Sequence, residues 1–469
     1  MTRTSGNFIA FTLLFLALLA GLAWAEMHGF VSGRVTELWA KAIIEVDGPV
    51  NFRATDAFFP PLPYVLSIGL QWVVGHSTVP TPFVLAAALG ALTLVMWFGN
   101  LRYMGGMSAA ASYAAVALLA LNPFFLRVVA EGPESIMLLF GTWLFVRGIV
   151  NLRLTGNAPD MMKVAVGLLI VSLSSSYGLL LCLGALPFMV VAARPSMLVA
   201  SSVGYLIAMF YPVAAAVLSL LFVSKIFNSS LIPLLTDTPI DISPMGHVLV
   251  LMGMVPVALV AILRTAPTSR YFMPLIAGFA TVLSAYALNM FFYVEADPVL
   301  AIAPLLAVVA TTVRFWPPSA LREPIVLVLL ALGLVLSLIS LRVTPAAETS
   351  AWFAAMQGQM QTEVKMTQDV AAFLATKDQI IVDIERNPEI VPAVGDISQL
   401  IVAGQTVYDW ALEGGVLRAK YILVQNIPEG VAIRDRVLRR FPELMTDKLN
   451  QYSEVFNNPK WRIFERDEQ

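Results

Sequence analysis

Eleven apolar runs follow one another through residues 1–341 of this chain, and that succession limits its fold more than any other feature. They cover residues 8–24, 81–98, 107–121, 135–145, 164–175, 177–192, 196–223, 248–263, 271–292, 299–313 and 325–341. A membrane-crossing helix needs about 20 mostly apolar residues, with roughly 17 as the lower limit. Several runs are shorter than that as read, and their ends extend into flanking residues. Composition agrees with a membrane chain: 58% of 469 residues are hydrophobic and 13% charged, where soluble domains are about half apolar and about a quarter charged. From residue 344 onward the composition is that of an ordinary globular domain. The expected fold is therefore an α-helical polytopic membrane protein of about eleven spans (residues 1–343) followed by a small soluble α/β domain (344–469).

Other classes are set aside by charge and by cysteine and histidine content. A formal net charge of −2 offers no basic surface for nucleic acid. Cys182 has no partner for an internal disulfide, and His28, His76 and His247 show no metal-ligand spacing.

Lys and Arg near span ends favour the cytoplasmic side. With the N-terminus inside, the inner loops hold Arg3, Arg102, Arg147, Arg153, Lys163, Arg194, Arg264, Arg270, Arg314 and Arg322. The acidic residues Glu26, Glu37, Glu45, Asp47, Asp56, Glu131, Glu134, Asp237, Asp241, Glu295 and Asp297 then fall outside. This pattern requires the twelfth apolar segment, Pro61–Val74, to lie along the outer interface. The expected location is a bacterial inner membrane, with the N-terminus cytoplasmic and the C-terminal domain periplasmic. Ala23-Trp24-Ala25 has the shape of a signal-peptidase site, but the first span is read as an uncleaved anchor.

In the C-terminal part, residues 350–376 read as one helix, 379–384 and 421–425 as buried parallel strands, and 397–405 as a third strand. Residues 433–441 read as a basic amphipathic helix, and 452–456 with 461–465 as a hairpin. No glycine-rich phosphate loop follows either parallel strand, so a structural or positioning role is expected.

Two outer loops hold unusual residues. The first, 26–60, carries both signs of charge, and Arg34–Ile44 within it can form an amphipathic helix with Val35, Leu38, Trp39 and Ile43 on one face. It closes in Phe58-Phe59-Pro60-Pro61-Leu62-Pro63-Tyr64, whose prolines make a rigid corner. The second contains Leu121-Asn122-Pro123-Phe124-Phe125-Leu126-Arg127, then Glu131-Gly132-Pro133-Glu134. Helix capping and the helix dipole account for Pro133 and Glu134, whereas Arg127 lies outside against the charge bias.

On these residues the chain resembles the GT-C membrane glycosyltransferases, in particular the branch of protein mannosyltransferases and aminoarabinose transferases. The features that carry it are Pro60-Pro61-Leu62-Pro63-Tyr64 closing a charged outer loop, Leu121–Arg127 with Glu131-Gly132 and Glu134, and a terminal aromatic hairpin with Trp461-Arg462-Ile463-Phe464. The resemblance implies a polyprenyl-phosphate sugar as donor, membrane lipid as surroundings, and a glycan, lipid or protein as acceptor. It also implies an acidic pair early in the first loop as base, where this chain has Thr36-Glu37. Under it, Glu37 or else Asp56 is the expected base, and Arg53 or Arg127 the expected partner of the leaving phosphate. Glu131 and Glu134 are expected to bind sugar hydroxyls or a divalent cation, and Tyr64 counts among the substrate-binding residues. The cofactor is otherwise unknown.

Two rival functions stand beside this one. A coupled transporter keeps ionisable residues mid-membrane, and the spans hold no Asp, Glu, Lys or Arg between their ends. A GT-C-like scaffold or partner subunit that has lost its chemistry is supported by Thr36 in the place of the acid.

Overall fold

The computed structural model describes residues 3–48, 60–75, 79–228, 244–292, 298–394, 396–415, 417–427, 433–446 and 451–467. Every expected span is helical, but the helices differ in length. In chain order the first nine are α1 (Arg3–Met27), α2 (Gly33–Asp47), α3 (Pro61–Val74), α4 (Thr81–Gly99), α5 (Ala109–Ala120), α6 (Pro123–Ala130), α7 (Pro133–Thr155), α8 (Ala158–Ser174) and α9 (Ser176–Ala185). There follow α10 (Met189–Ala192), α11 (Pro195–Asn228), α12 (Pro244–Met252), α13 (Val255–Leu263), α14 (Ser269–Phe292), α15 (Pro298–Thr312) and α16 (Arg322–Val343). Among the described residues six helical segments are long and apolar enough to cross a membrane: Gly6–Met27, Thr81–Met104, Pro133–Thr155, Val203–Val223, Ser269–Phe292 and Arg322–Val343. A seventh crossing is available if α5 and α6, bent by 56° at Asn122-Pro123, count as one span.

The bend has a local cause. Pro123 fits the first turn of α6, and the Asn122 side chain accepts a hydrogen bond from Phe124 N–H at 2.9 Å, so a new helix begins in place of a continued one. Similarly, Ser175 ends α8 and caps α9 by accepting from Gly178 N–H at 3.0 Å, which accounts for the polar patch 172–177 as a turn between short helices. One boundary needs correction: the run 135–145 is the middle of α7, which continues for nearly three further turns through Arg147 and Arg153. The Arg147 guanidinium lies over the Trp143 ring, 5.4 Å from its centroid, so its charge does not interrupt the helix.

The amphipathic helix expected after residue 33 is α2, capped by Ser32, whose Oγ accepts from Val35 N–H at 3.3 Å. It is held on two sides. Val35 joins the core of the membrane-embedded bundle, whereas Ala40, Ile43 and Ile44 join the core of the C-terminal sheet. The corner helix α3 starts on Pro61 and is packed against α2, with the Tyr64 hydroxyl donating to Glu45 Oε1 at 3.0 Å.

After α16 the chain forms α17 (Ala347–Met356) and α18 (Thr362–Leu374). The single helix expected over 350–376 is thus two, because Gly358 takes φ +79° and Gln361 N–H turns away to donate to His28 O at 3.0 Å. Then come β1 (Ile380–Val382), α19 (Ile390–Val394), β2 (Leu400–Ile401), α20 (Thr406–Gly414), β3 (Tyr421–Gln425), α21 (Arg436–Arg440), β4 (Tyr452–Asn457) and β5 (Trp461–Arg466). The third strand is shorter than expected, since Asp396 caps a 3-10 turn at Ile397–Gln399 by accepting from Ser398 N–H. The sheet order is β2-β1-β3-β5-β4. β1 is parallel to both β2 and β3, and β4–β5 is the antiparallel hairpin. Strand alternation divides the sheet into two buried faces: Ile380, Val382, Leu423 and Ile463 face α2 and α18, and Ile381, Ile422, Val424 and Phe464 face α20 and α21.

Within the second face Asp435 is fully buried and caps α21, accepting from Val437 and Leu438 N–H at 2.9 and 3.0 Å. Burial, with Asp383 adding to it, raises its carboxyl to about 6. The folded chain therefore holds this proton more tightly than the unfolded chain, and the contribution of Asp435 to stability falls as pH rises from about 4 to about 6. Asn at this position does not titrate. Thermal unfolding of wild type and Asp435→Asn between pH 4 and 7 should show the difference shifting toward the variant across that window; a pH-independent difference refutes the assignment.

Candidate functional site

The bent pair α5–α6 and the start of α7 bring the loop around Glu131–Gly132 against the N-terminus of α2. Gly132 makes this approach possible. It lies at φ +105° and ψ −168°, and a Cβ there would stand 2.6 Å from Val35 Cγ2. Gly132→Ala should cost about 1–3 kcal/mol, visible as a lowered thermal midpoint; an unchanged midpoint would show that α2 does not depend on this contact.

Around the approach lies a cluster of two arginines and three glutamates. Arg127, fully buried on α6, donates through Nη1 to Glu131 Oε2 at 2.5 Å and through Nη2 to Glu348 Oε2 at 3.3 Å. Its guanidinium lies 5.4 Å from the centroid of the Phe30 ring. Arg34 of α2 donates through Nη1 to Glu134 Oε2 at 2.7 Å, with its Nε 3.2 Å from Glu131 Oε1. Glu348, on α17, also accepts from Gly33 N–H at 3.2 Å. Ser32 Oγ donates to Glu131 O at 3.2 Å, which ties the start of α2 to the end of α6.

Beside this cluster is a cavity of about 690 Å3 between the C-terminal end of α1, α2, α17 and the C-terminal unit. Glu26, Phe30, Thr36, Trp39, Glu348 and Lys460 are among the residues that line it. The size suits a ligand of a few rings, and the lining combines aromatic faces with a small number of polar groups. Glu26 is half-buried in this wall, and no hydrogen bond or ion pair engages its carboxylate among the described residues.

The structure thus brings Arg127, Glu131 and Glu134 together. Glu37 is placed elsewhere: it is on α2, half-exposed, with Lys41 Nζ 2.5 Å from its Oε1. Lys41 holds the Glu37 carboxyl below its ordinary range. Tyr64 binds Glu45 on the neighbouring helix and does not line the cavity. Arg53 and Asp56 lie outside the described residues. Three participants were missed by sequence reasoning, namely Arg34, Glu348 and the cavity role of Glu26. Glu348 is the first acidic residue after the last apolar run, and that position is the one signal available for it. Thr36, where the resemblance implies an acid, faces the cavity and donates its hydroxyl to Ser32 O at 3.0 Å. Among the described residues no three His, Cys, Asp or Glu side chains converge as metal ligands.

The chain is a helical bundle with a bent span, a proline-cornered helix beside it and a small α/β unit seated on the first loop. Among solved structures the fold is similar to that of ArnT from Cupriavidus metallidurans, crystallised bound to undecaprenyl phosphate. The TM-score is 0.59, with 10% sequence identity over 98% of both chains. No protein-family model matches the sequence, and no curated protein matches it significantly.

Proposed function

We propose that this chain transfers a sugar from a polyprenyl-phosphate-linked donor to an acceptor at the outer face of the membrane. The observation that carries the reading is the cavity: Glu26, whose carboxylate has no partner among the described residues, lines it together with Glu348, the member of the two-arginine cluster that accepts from Arg127. The shared fold with a protein crystallised with undecaprenyl phosphate supports the lipid class of the donor.

The chemistry is a displacement at the anomeric carbon. Glu26 takes the proton of the acceptor hydroxyl as its oxygen bonds to that carbon, and the bond from the carbon to the phosphate oxygen breaks. Arg34, whose side chain keeps 22% exposure at the rim of the cluster, offsets charge on the departing phosphate. Arg127 serves beneath it, and Arg53, which lies outside the described residues, is a further candidate for the same role. Glu131 and Glu134 orient the arginines. Glu26 replaces Glu37 as base because the pair with Lys41 makes Glu37 the weaker proton acceptor; Asp56, outside the described residues, is the alternative base. The N-terminus is cytoplasmic in this reading, and residues 344–469 form an outer domain whose core is completed by α2.

A second reading, a catalytically silent partner subunit, rests on Thr36 at the cavity wall. A turnover assay separates the two. The chain in nanodiscs receives a panel of radiolabelled polyprenyl-phosphate sugars, with Glu37→Gln and Asp56→Asn run alongside. Release of polyprenyl phosphate is expected from wild type; donor binding without release from any member of the panel overturns the enzyme reading in favour of the subunit.

A further inference from the structure

At the end of the bundle opposite the cavity four arginines converge. A π-helical turn, Asn100–Met104, follows α4 and sets Asn100 against Arg314, which donates through Nη1 to Asn100 Oδ1 at 2.9 Å. Such turns often mark functional positions. Arg322 donates to Gly105 O at 2.6 Å and to Arg314 O at 2.7 Å. Arg102 donates to Met107 O at 2.7 Å. Arg147 reaches only the Met104 sulfur, at 3.1 Å, and the face of Trp143, and its charge bears directly on that of Arg314.

The acceptors of these four cations are neutral: carbonyls, one amide oxygen and a thioether. Two carboxylates stand near, Asp160 acting through its charge on Arg147 and Glu323 on Arg322, but both have their hydrogen bonds elsewhere. Glu323 accepts from Ser108 N–H and Oγ at 2.5 and 2.7 Å, and Asp160 binds Thr155 and Lys163. Two donors are left over. Asn100 is 2% exposed and Arg322 8% exposed, yet Asn100 Nδ2 and Arg322 Nε have no acceptor among the described residues. Buried donors are nearly always satisfied. An arginine that merely marks the cytoplasmic side reaches outward to water, and Arg322 does not.

Excess positive charge, unfilled donors and weak acceptors at one place call for an oxyanion. We infer that Asn100, Arg147, Arg314 and Arg322 form a binding site for a phosphate group, and its position at the end of the spans assigns that phosphate to the headgroup of an anionic membrane phospholipid.

The test is native mass spectrometry of the full chain released from nanodiscs of equal parts phosphatidylcholine and phosphatidylglycerol. Wild type should retain phosphatidylglycerol in preference. Arg147→Gln should reduce that retention about tenfold, and the one hydrogen bond it removes among the described residues is to a sulfur, so the fold is kept. Arg314→Lys, which keeps the charge and loses the planar fork, should fall between. Arg264→Gln alters an exposed arginine at the same end and should leave retention unchanged. A second arm adds inorganic phosphate to phosphatidylcholine nanodiscs. A raised thermal midpoint lost in Arg147→Gln supports the same phosphate site with free phosphate as its source. Absence of preferential retention together with no effect of phosphate, or equal losses in Arg147→Gln and Arg264→Gln, overturns the site.

Discussion

Glu26→Gln should lower turnover by roughly two to four orders of magnitude, the span over which positioned general bases act. The substitution keeps volume and planarity, so the cavity wall is preserved, but the amide cannot accept the acceptor's proton. Donor affinity should change little, because the phosphate partners, Arg34 and Arg127, are separate side chains held by Glu131, Glu134 and Glu348. Glu37→Gln provides the contrast. Its carboxylate is occupied by Lys41, and Glu37 is not among the residues that line the cavity, so its loss should cost activity only modestly. Steady-state kinetics on the two variants decide the matter. If Glu26→Gln turns over at the wild-type rate, Glu26 is not the base, and the role passes to Asp56.

Arg127→Leu should be the most destabilising single change in the cluster, by about 3–5 kcal/mol. The guanidinium is fully buried and its partner Glu131 is 1% exposed, so removing one member leaves a charge in a nearly dry site. Arg34 stays within 3.2 Å of Glu131 and softens the loss toward the lower end of that range. Adding Glu131→Leu removes the stranded carboxylate as well, and the double variant should regain much of the thermal midpoint. The comparison is made by following thermal unfolding of the three proteins in the same nanodiscs. A double variant no more stable than the single one would show that the pair's hydrogen-bonded neighbours, and not its buried charge, are what matter.

Elements governed by local rules were readable from the sequence. The prolines before Tyr64 set the start of α3, the 3.6-residue spacing of Val35, Leu38 and Ile43 marked α2, short β-branched runs marked β1 and β3, and two short runs flanking a turn marked the terminal hairpin. Where the reading of 350–376 failed, a distant contact had decided the outcome. The break between α17 and α18 is secured by Gln361 donating to His28, far back in the first loop. The candidate site was legible in its second-loop residues, Arg127, Glu131 and Glu134, because they lie within one stretch. Glu348 meets Gly33 across 315 positions of sequence and Arg127 across 221, and no periodicity carries such a pairing. Arg147 was taken for a loop residue because charge usually ends an apolar helix; the ring of Trp143 beneath it removes that reason.

The two-sided burial of α2 has a consequence for how the protein is made. Residues 33–47 leave the ribosome early, yet the strands that cover Ala40, Ile43 and Ile44 include β5, at the far end of the chain. At about 5–20 residues per second, roughly 20–80 s of synthesis separate the two. For that interval the helix has an apolar face and no partner, and the sheet arrives to a template already laid down. A nascent chain stopped before residue 380 should therefore be held by a quality-control factor on this helix, and release should follow completion of the hairpin.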